Sequence, residues 1–240
     1  MHNAAQRWTV VCDFDGTIAP VDVTDRLLET HASGDWLDIE AEWAAGKIGS
    51  RECLSRQIAL VRAPLSAFDQ LANSIDIDPH FAGFAKMCCK AGINLVIVSD
   101  GIDYLIERIL RRNGLGHLVV YANSILTNRS NAHRLISPYQ EAGCRSAAGT
   151  CKCAVIQEMR DADVDTRILF VGDGRSDFCA AAHASDVVAA KSKLLAHLRA
   201  IGRPCLPFTT FADVQQLLSD ILAERHLSCH QPNGILHECA

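Results

Sequence analysis

At 240 residues, 49% hydrophobic and 21% charged, the chain is long enough to bury one sizeable core and to carry a smaller appended unit. A formal net charge of -5, with Lys and Arg unclustered, excludes the broad positive field that nucleic-acid binding needs. No apolar run approaches bilayer length and Met1 to Arg7 lacks the order of a secretory leader, so the eleven cysteines are expected as reduced thiols in the cytoplasm, with no membrane partner.

The first apolar run, Trp8 to Cys12, reads as a buried parallel strand that ends in Asp13-Phe14-Asp15-Gly16-Thr17-Ile18. Two carboxylates at a strand's end, with Gly16 available for a tight turn, can face one ligand. Side by side they repel unless a divalent cation or a shared proton relieves them. From about Val21 to Phe81 no strand run appears, and the spacing of Trp36, Ile39 and Trp43 is helical. This stretch is expected to be a helical insertion lying above the carboxyl edge of the sheet, with the Trp stripe packed into the insertion's own core. Asp22, Asp25 and Glu29 share one helical face, which is either an acidic helix start or a receptor for an amine on the substrate.

Asn94 to Val98 is the second strand and closes on Ser99-Asp100-Gly101, where a hydroxyl and backbone amides at an expected helix start could hold a phosphate oxygen. A 3-4 stripe from Ile102 to Leu110, stopped by Asn113-Gly114, predicts a helix, and Leu118 to Tyr121 a further strand. Cys144, Cys151 and Cys153 lack the paired two-residue knuckles of a structural zinc site and are expected to be ordinary thiols. Arg167 to Val171 is a third clear strand, followed by Gly172-Asp173-Gly174-Arg175-Ser176-Asp177, in which two carboxylates four apart suit a hard, oxygen-seeking cation. Phe211, Val214, Leu217, Leu218 and Ile221 predict a last helix; periodicity then fades.

Strands alternating with helices predict an α/β fold, a doubly wound Rossmann-like parallel sheet with a small helical cap domain. The expected division is a core of residues 1–20 and 82–225, a cap of 21–81 and a tail of 226–240.

From Thr9 to Leu222 the chain resembles the haloacid dehalogenase-like (HAD) phosphatases whose helical cap lies between the first and second motifs. The Asp-x-Asp-Gly-Thr motif falls on Asp13 to Thr17, the hydroxyl motif on Ser99, the lysine on Lys152 and the acidic motif on Gly172, Asp173 and Asp177. The resemblance implies that Asp13 attacks phosphorus and that Asp15 protonates the leaving alcohol and then deprotonates the hydrolytic water. It implies a Mg2+ ion held by Asp13, the Asp15 carbonyl and Asp173, with Asp177 orienting that shell, and phosphate contacts from Thr17, Ser99, the Gly101 amide and Lys152. Nothing but the resemblance singles out Lys152.

The implied substrate is a small phosphorylated metabolite. Asp22 stands where phosphoserine phosphatases hold the substrate amine, but Gln57 stands where they carry an arginine for the carboxylate, and the Cys144 to Cys153 segment looks more like the methionine-salvage type. A phosphotransferase would use the same residues, whereas intact Asp13 and Asp15 count against a non-catalytic phosphate-binding domain. Oligomeric state is left open.

Overall fold

The computed structural model describes residues 7–228, and the tail expected over 226–240 lies largely outside it. Strand β1 (Arg7–Cys12) leads into four helices, α1 (Val23–His31), α2 (Trp36–Ala44), α3 (Ser50–Ile58) and α4 (Leu65–Ser74). Then come α5 (Phe81–Lys90), β2 (Asn94–Ile102), α6 (Asp103–Arg112), β3 (Val119–Thr127) and β4 (His133–Ile136). Helix α7 (Lys152–Ala162), β5 (Thr166–Gly172), a 3-10 turn (Arg175–Asp177) and α8 (Phe178–His183) follow. Strand β6 (Val187–Ala190), α9 (Ser192–Ala200), β7 (Leu206–Pro207) and α10 (Phe211–Ser228) end the described chain.

The seven strands form one sheet in the order β4-β3-β2-β1-β5-β6-β7, parallel throughout except for the antiparallel β3-β4 pair. Both faces are covered, so the central strands are continuous apolar runs. Val10, Cys12, Leu95, Ile97, Leu169 and Val171 face one way, onto a layer that includes Phe81, Phe84, Ile109 and Phe211. Val11, Val96, Val98, Ile168 and Phe170 face the other, onto Val155, Ile156, Leu194 and Leu198. This is the doubly wound α/β sheet that the alternation of runs and stripes predicts. No helix among the described residues is long and apolar enough to cross a membrane.

Four local expectations change. The helix expected at Ser99 begins at Asp103, because β2 continues through Ser99-Asp100-Gly101 to Ile102, with a register shift against β3. Strands β4, β6 and β7 were not foreseen: four, four and two residues are too short to show a period. The Trp stripe divides, with Trp36 packed against the core while Trp43 turns toward the sheet edge, where the Arg175 guanidinium sits 4.9 Å from its ring. Helix α10 runs to Ser228, past the boundary drawn at 225.

Helices α1 to α4 meet the rest of the chain at defined joints. The Ser50 and Arg51 amides at the start of α3 donate to the Ser146 and Ala147 carbonyls, at 3.2 and 2.9 Å. His133 of β4 bonds the Ala63 carbonyl at 2.9 Å and packs against Phe68 of α4.

Candidate active site

Strands β1 and β5 run parallel in a register that pairs Cys12 with Val171, so Asp13 and Asp173 leave the sheet at the same carboxyl edge. The Asp13 amide donates to the Val171 carbonyl at 2.9 Å and fixes that departure. The chain then turns at Gly16, whose φ is +72° and where a Cβ would stand 2.5 Å from Asp173 Oδ2. Any side chain there would strain the backbone and displace a carboxylate.

Lys152, the first residue of α7, is buried and places Nζ 2.6 Å from Asp13 Oδ1 and 2.5 Å from Asp177 Oδ1. Burial alone would lower the ammonium's pKa, but the two carboxylates outweigh it and hold the group protonated. Asp177 uses its other oxygen to accept the Asp173 and Gly174 amides, each at 2.9 Å, and so fixes the loop that carries Asp173. Carboxylate oxygens of Asp13, Asp173 and Asp177 lie within 4.8 Å of one another. Burial, reinforced by the charge of Asp177, pushes the Asp13 carboxyl up to about 8, and the same two causes raise Asp173. Three hard oxygen donors in mutual repulsion fit a divalent cation, which would relieve the charge that protonation now relieves.

Asp15 faces this cluster across the cleft. Its Oδ1 accepts the Val23 amide at 2.9 Å and its Oδ2 the Ser99 hydroxyl at 3.4 Å. Burial, then the charge of Asp22, raises its pKa well above the carboxylate range against the Val23 bond.

Two expected phosphate contacts are placed differently. Thr17 is buried, its hydroxyl donating to Asp173 Oδ1 at 3.0 Å and its carbonyl accepting Lys191 Nζ at 3.2 Å, because the turn at Gly16 swings it toward β5. The Gly101 amide is taken up by Ser99 Oγ at 2.9 Å. Ser99 and Gly101 themselves line the cleft.

The cleft, about 490 Å3, lies between the strand ends and α1 to α3. Asp22 caps α1 by accepting the Asp25 amide at 3.0 Å, and both carboxylates face the cavity. Asp25 is pushed up to about 7 by burial and by Asp22 and Glu40. Gln57 is buried and donates to Glu40 Oε2 at 3.0 Å. Glu29, on the predicted acidic face, instead pairs with Arg26 outside the cleft. Sequence reasoning passed over Glu40, Lys193 and Asp100. Asp100 joins three segments: Oδ1 accepts the Gly149 and Thr150 amides at 3.0 Å each, and Oδ2 the Ser50 hydroxyl at 2.5 Å. The one visible signal for it was its place between Ser99 and Gly101.

A family model described as "Putative Phosphatase" matches residues 8–198. A 2-hydroxy-3-keto-5-methylthiopentenyl-1-phosphate phosphatase of Brevibacillus brevis is 28% identical over 225 residues, which cover 92% of this chain and 99% of that protein. Its counterpart in Geobacillus kaustophilus is 29% identical over 210 residues, covering 85% and 91%. A solved phosphoserine phosphatase with bound substrate has a similar fold, with a TM-score of 0.66 at 16% identity, covering 88% of this chain and 98% of that one. The chain therefore belongs to that phosphatase family and is itself a phosphatase built on the HAD fold.

Proposed function

We propose that this phosphatase is magnesium-dependent, forms a phosphoaspartate on Asp13, and acts on a small phosphomonoester whose organic part bears no carboxylate. The observation that carries the reading is the buried Asp13 carboxyl group, bonded through one oxygen to Lys152 and sharing one cleft with Asp15, whose pKa burial raises.

In this mechanism a free oxygen of Asp13 attacks phosphorus as the ester oxygen departs, and that oxygen takes the Asp15 proton. Asp15, now a carboxylate, removes a proton from the water that attacks the phosphorus of the acyl phosphate, which returns Asp13. Lys152 and Ser99 offer a cation and a hydroxyl to the phosphoryl oxygens as charge spreads over them. Asp13, the Asp15 carbonyl and Asp173 would hold magnesium, which would supply the positive charge that lets an anionic nucleophile approach an anionic ester. Asp177 keeps Asp173 and Lys152 in place.

The cleft wall supports the substrate class. Asp22, Asp25 and Glu40 line it, and Lys193 is the one cation among the described lining residues. A carboxylate on the substrate would be repelled, and no arginine is there to receive it, which disfavours phosphoserine. The substrate named for the Brevibacillus and Geobacillus relatives carries hydroxyl, keto and thioether groups. The amide of Gln57 and a protonated Asp25 can bond such oxygens, while Trp43 and Leu54 offer apolar contact. We place the same reaction here, with residues 21–81 as the cap and the metabolites of the cytoplasm as the pool.

The test is phosphate release from a panel containing that keto-enol ester, phosphoserine, phosphoethanolamine and p-nitrophenyl phosphate, with magnesium or EDTA. Magnesium-dependent release that ranks the carboxylate-free esters above phosphoserine supports the reading. A preference for phosphoserine overturns the substrate class, and full activity in EDTA overturns the metal.

A further inference from the structure

Helix α7 opens with Lys152 and Cys153, and α8 opens with Phe178 and Cys179 directly after Asp177. The two helices pack on each other, and their starts are bridged twice. In the interior, Lys152 Nζ holds Asp177 Oδ1 at 2.5 Å and lies 3.4 Å from Ser176 Oγ. Where both helices border a second cavity, of about 630 Å3, Cys153 Sγ lies 3.3 Å from Cys179 Sγ. No residue that lines this cavity lines the catalytic cleft. Both thiols are partly exposed, so a small oxidant reaches them without passing through the cleft.

A soft metal ion would need three or more donors converging on one point. Among the described residues the only such convergence of His, Cys, Asp or Glu is the Asp13, Asp173 and Asp177 group. Two sulfurs in direct contact, with no third donor, have the arrangement that thiol coupling needs.

We propose that Cys153 and Cys179 form a thiol-oxidation site for hydrogen peroxide, whose disulfide ties the starts of α7 and α8 together and lowers the rate of phosphate release. One of the two sulfurs, as its thiolate, attacks a peroxide oxygen and becomes a sulfenic acid, while the departing hydroxide leaves as water with the thiol's proton. The second sulfur attacks the first and expels the other hydroxide, which takes the second thiol's proton. Two thiols are oxidised, one peroxide is reduced, and two waters form.

The consequence for the site follows from what the neighbouring residues hold. Bond formation draws the sulfurs from 3.3 Å to about 2.05 Å. Phe178 stacks on His197 of α9 with ring centroids 3.8 Å apart, so α8 is anchored and does not simply follow Cys153. The contraction therefore falls on Lys152, the residue before Cys153, and on Asp177, two residues before Cys179. Asp177 passes it on, because its other oxygen accepts the Asp173 and Gly174 amides. Displacement of a catalytic group by ~1 Å costs on the order of 100-fold in rate.

The experiment treats the full chain with hydrogen peroxide and maps disulfides by mass spectrometry. It also follows hydrolysis of p-nitrophenyl phosphate and amide hydrogen exchange at Asp173 and Gly174. We expect a Cys153-Cys179 bond, altered exchange at both amides, and a loss of activity of about 10-fold or more that dithiothreitol reverses. Cys153→Ser and Cys179→Ala are expected to keep basal activity and to resist peroxide, whereas Cys144→Ser should stay as sensitive as the native chain. The absence of that bond, a bond that leaves exchange and rate unchanged, or Cys153→Ser and Cys179→Ala chains that lose activity as the native chain does would overturn the proposal. Mapping and exchange on the native chain need neither a variant nor turnover, so they stand apart from a misfolded variant and from any failure of the substrate assignment.

Discussion

Lys152 Nζ lies 2.5 Å from Asp177 Oδ1, with side chains 2% and 0% exposed. Lys152 also donates to Asp13 Oδ1, so Lys152→Met leaves the buried Asp177 carboxylate without its counter-ion and Asp13 without that donor. The expected loss of stability is ~3–5 kcal/mol, measured by urea unfolding, and magnesium should recover part of it. Lys152→Arg is not expected to rescue, because a planar guanidinium cannot occupy the compact space between two carboxylates that a point-like ammonium fills.

Replacing Asp13 removes the proposed nucleophile without opening a cavity. Asp13→Asn is expected to reduce turnover by more than about 1000-fold and to abolish the transient phosphoprotein in rapid-quench mass spectrometry. Its melting temperature should stay level or rise, since a raised carboxyl has been exchanged for a neutral isostere.

Asp15→Asn should instead discriminate between leaving groups. The loss expected for an alkyl phosphate is about 100- to 10,000-fold, because the alkoxide departs without a proton. For p-nitrophenyl phosphate the first step needs little acid help, so a burst of nitrophenol should precede a slow steady state. Equal losses on both esters would remove Asp15 from the acid role.

At Gly16 the backbone itself is under test. Gly16→Ala places a Cβ 2.5 Å from Asp173 Oδ2 on a residue at φ +72°, so a cost of about 1–2 kcal/mol is expected from the conformation alone. Magnesium affinity measured by calorimetry should fall further than stability does, because Asp173 must move.

The metal-free site also makes stability depend on pH. Asp13 is pushed up to about 8 in the folded chain, so between about pH 4 and pH 8 the native state holds a proton that the unfolded chain has released. Stability is therefore lost as pH rises through that window, and the raised Asp173 acts in the same direction. A divalent ion replaces the proton, so the increment in Tm from magnesium should be larger at about pH 8.5 than at about pH 5.5. Calorimetry in two buffers of different ionisation enthalpy should show proton release on binding near neutrality.

The residues legible in the sequence are those whose chemistry is local. Asp13, Asp15, Asp173 and Asp177 each follow an apolar strand and sit beside glycines, an order that turns do not require. Lys152 has no such local mark, since its partners are 139 and 25 residues away and meet it only through the parallel register of β1 and β5. Thr17 was read as facing phosphate because a motif does not say which way a positive-φ turn throws the next side chain. Glu40 escaped notice because its place over the cleft depends on how α2 packs on α3, and helical spacing on one element cannot supply that. Asp100 fell at an expected helix start, whereas β2 runs through it and presents its carboxylate to the segment before Lys152.

The position of β1 between β2 and β5 bears on the order of assembly during folding. The proposed nucleophile, hydroxyl and lysine come from residues 13, 99 and 152, so no local segment can form the site, and it appears only after pairings across more than eighty residues have closed. Such non-local pairings form late and make folding slow. A folding transition state that lacks the site gives magnesium nothing to bind, so the ion should leave the refolding rate unchanged and slow unfolding instead. Its protection of the native chain would then be kinetic, seen as a longer lifetime before the sheet opens.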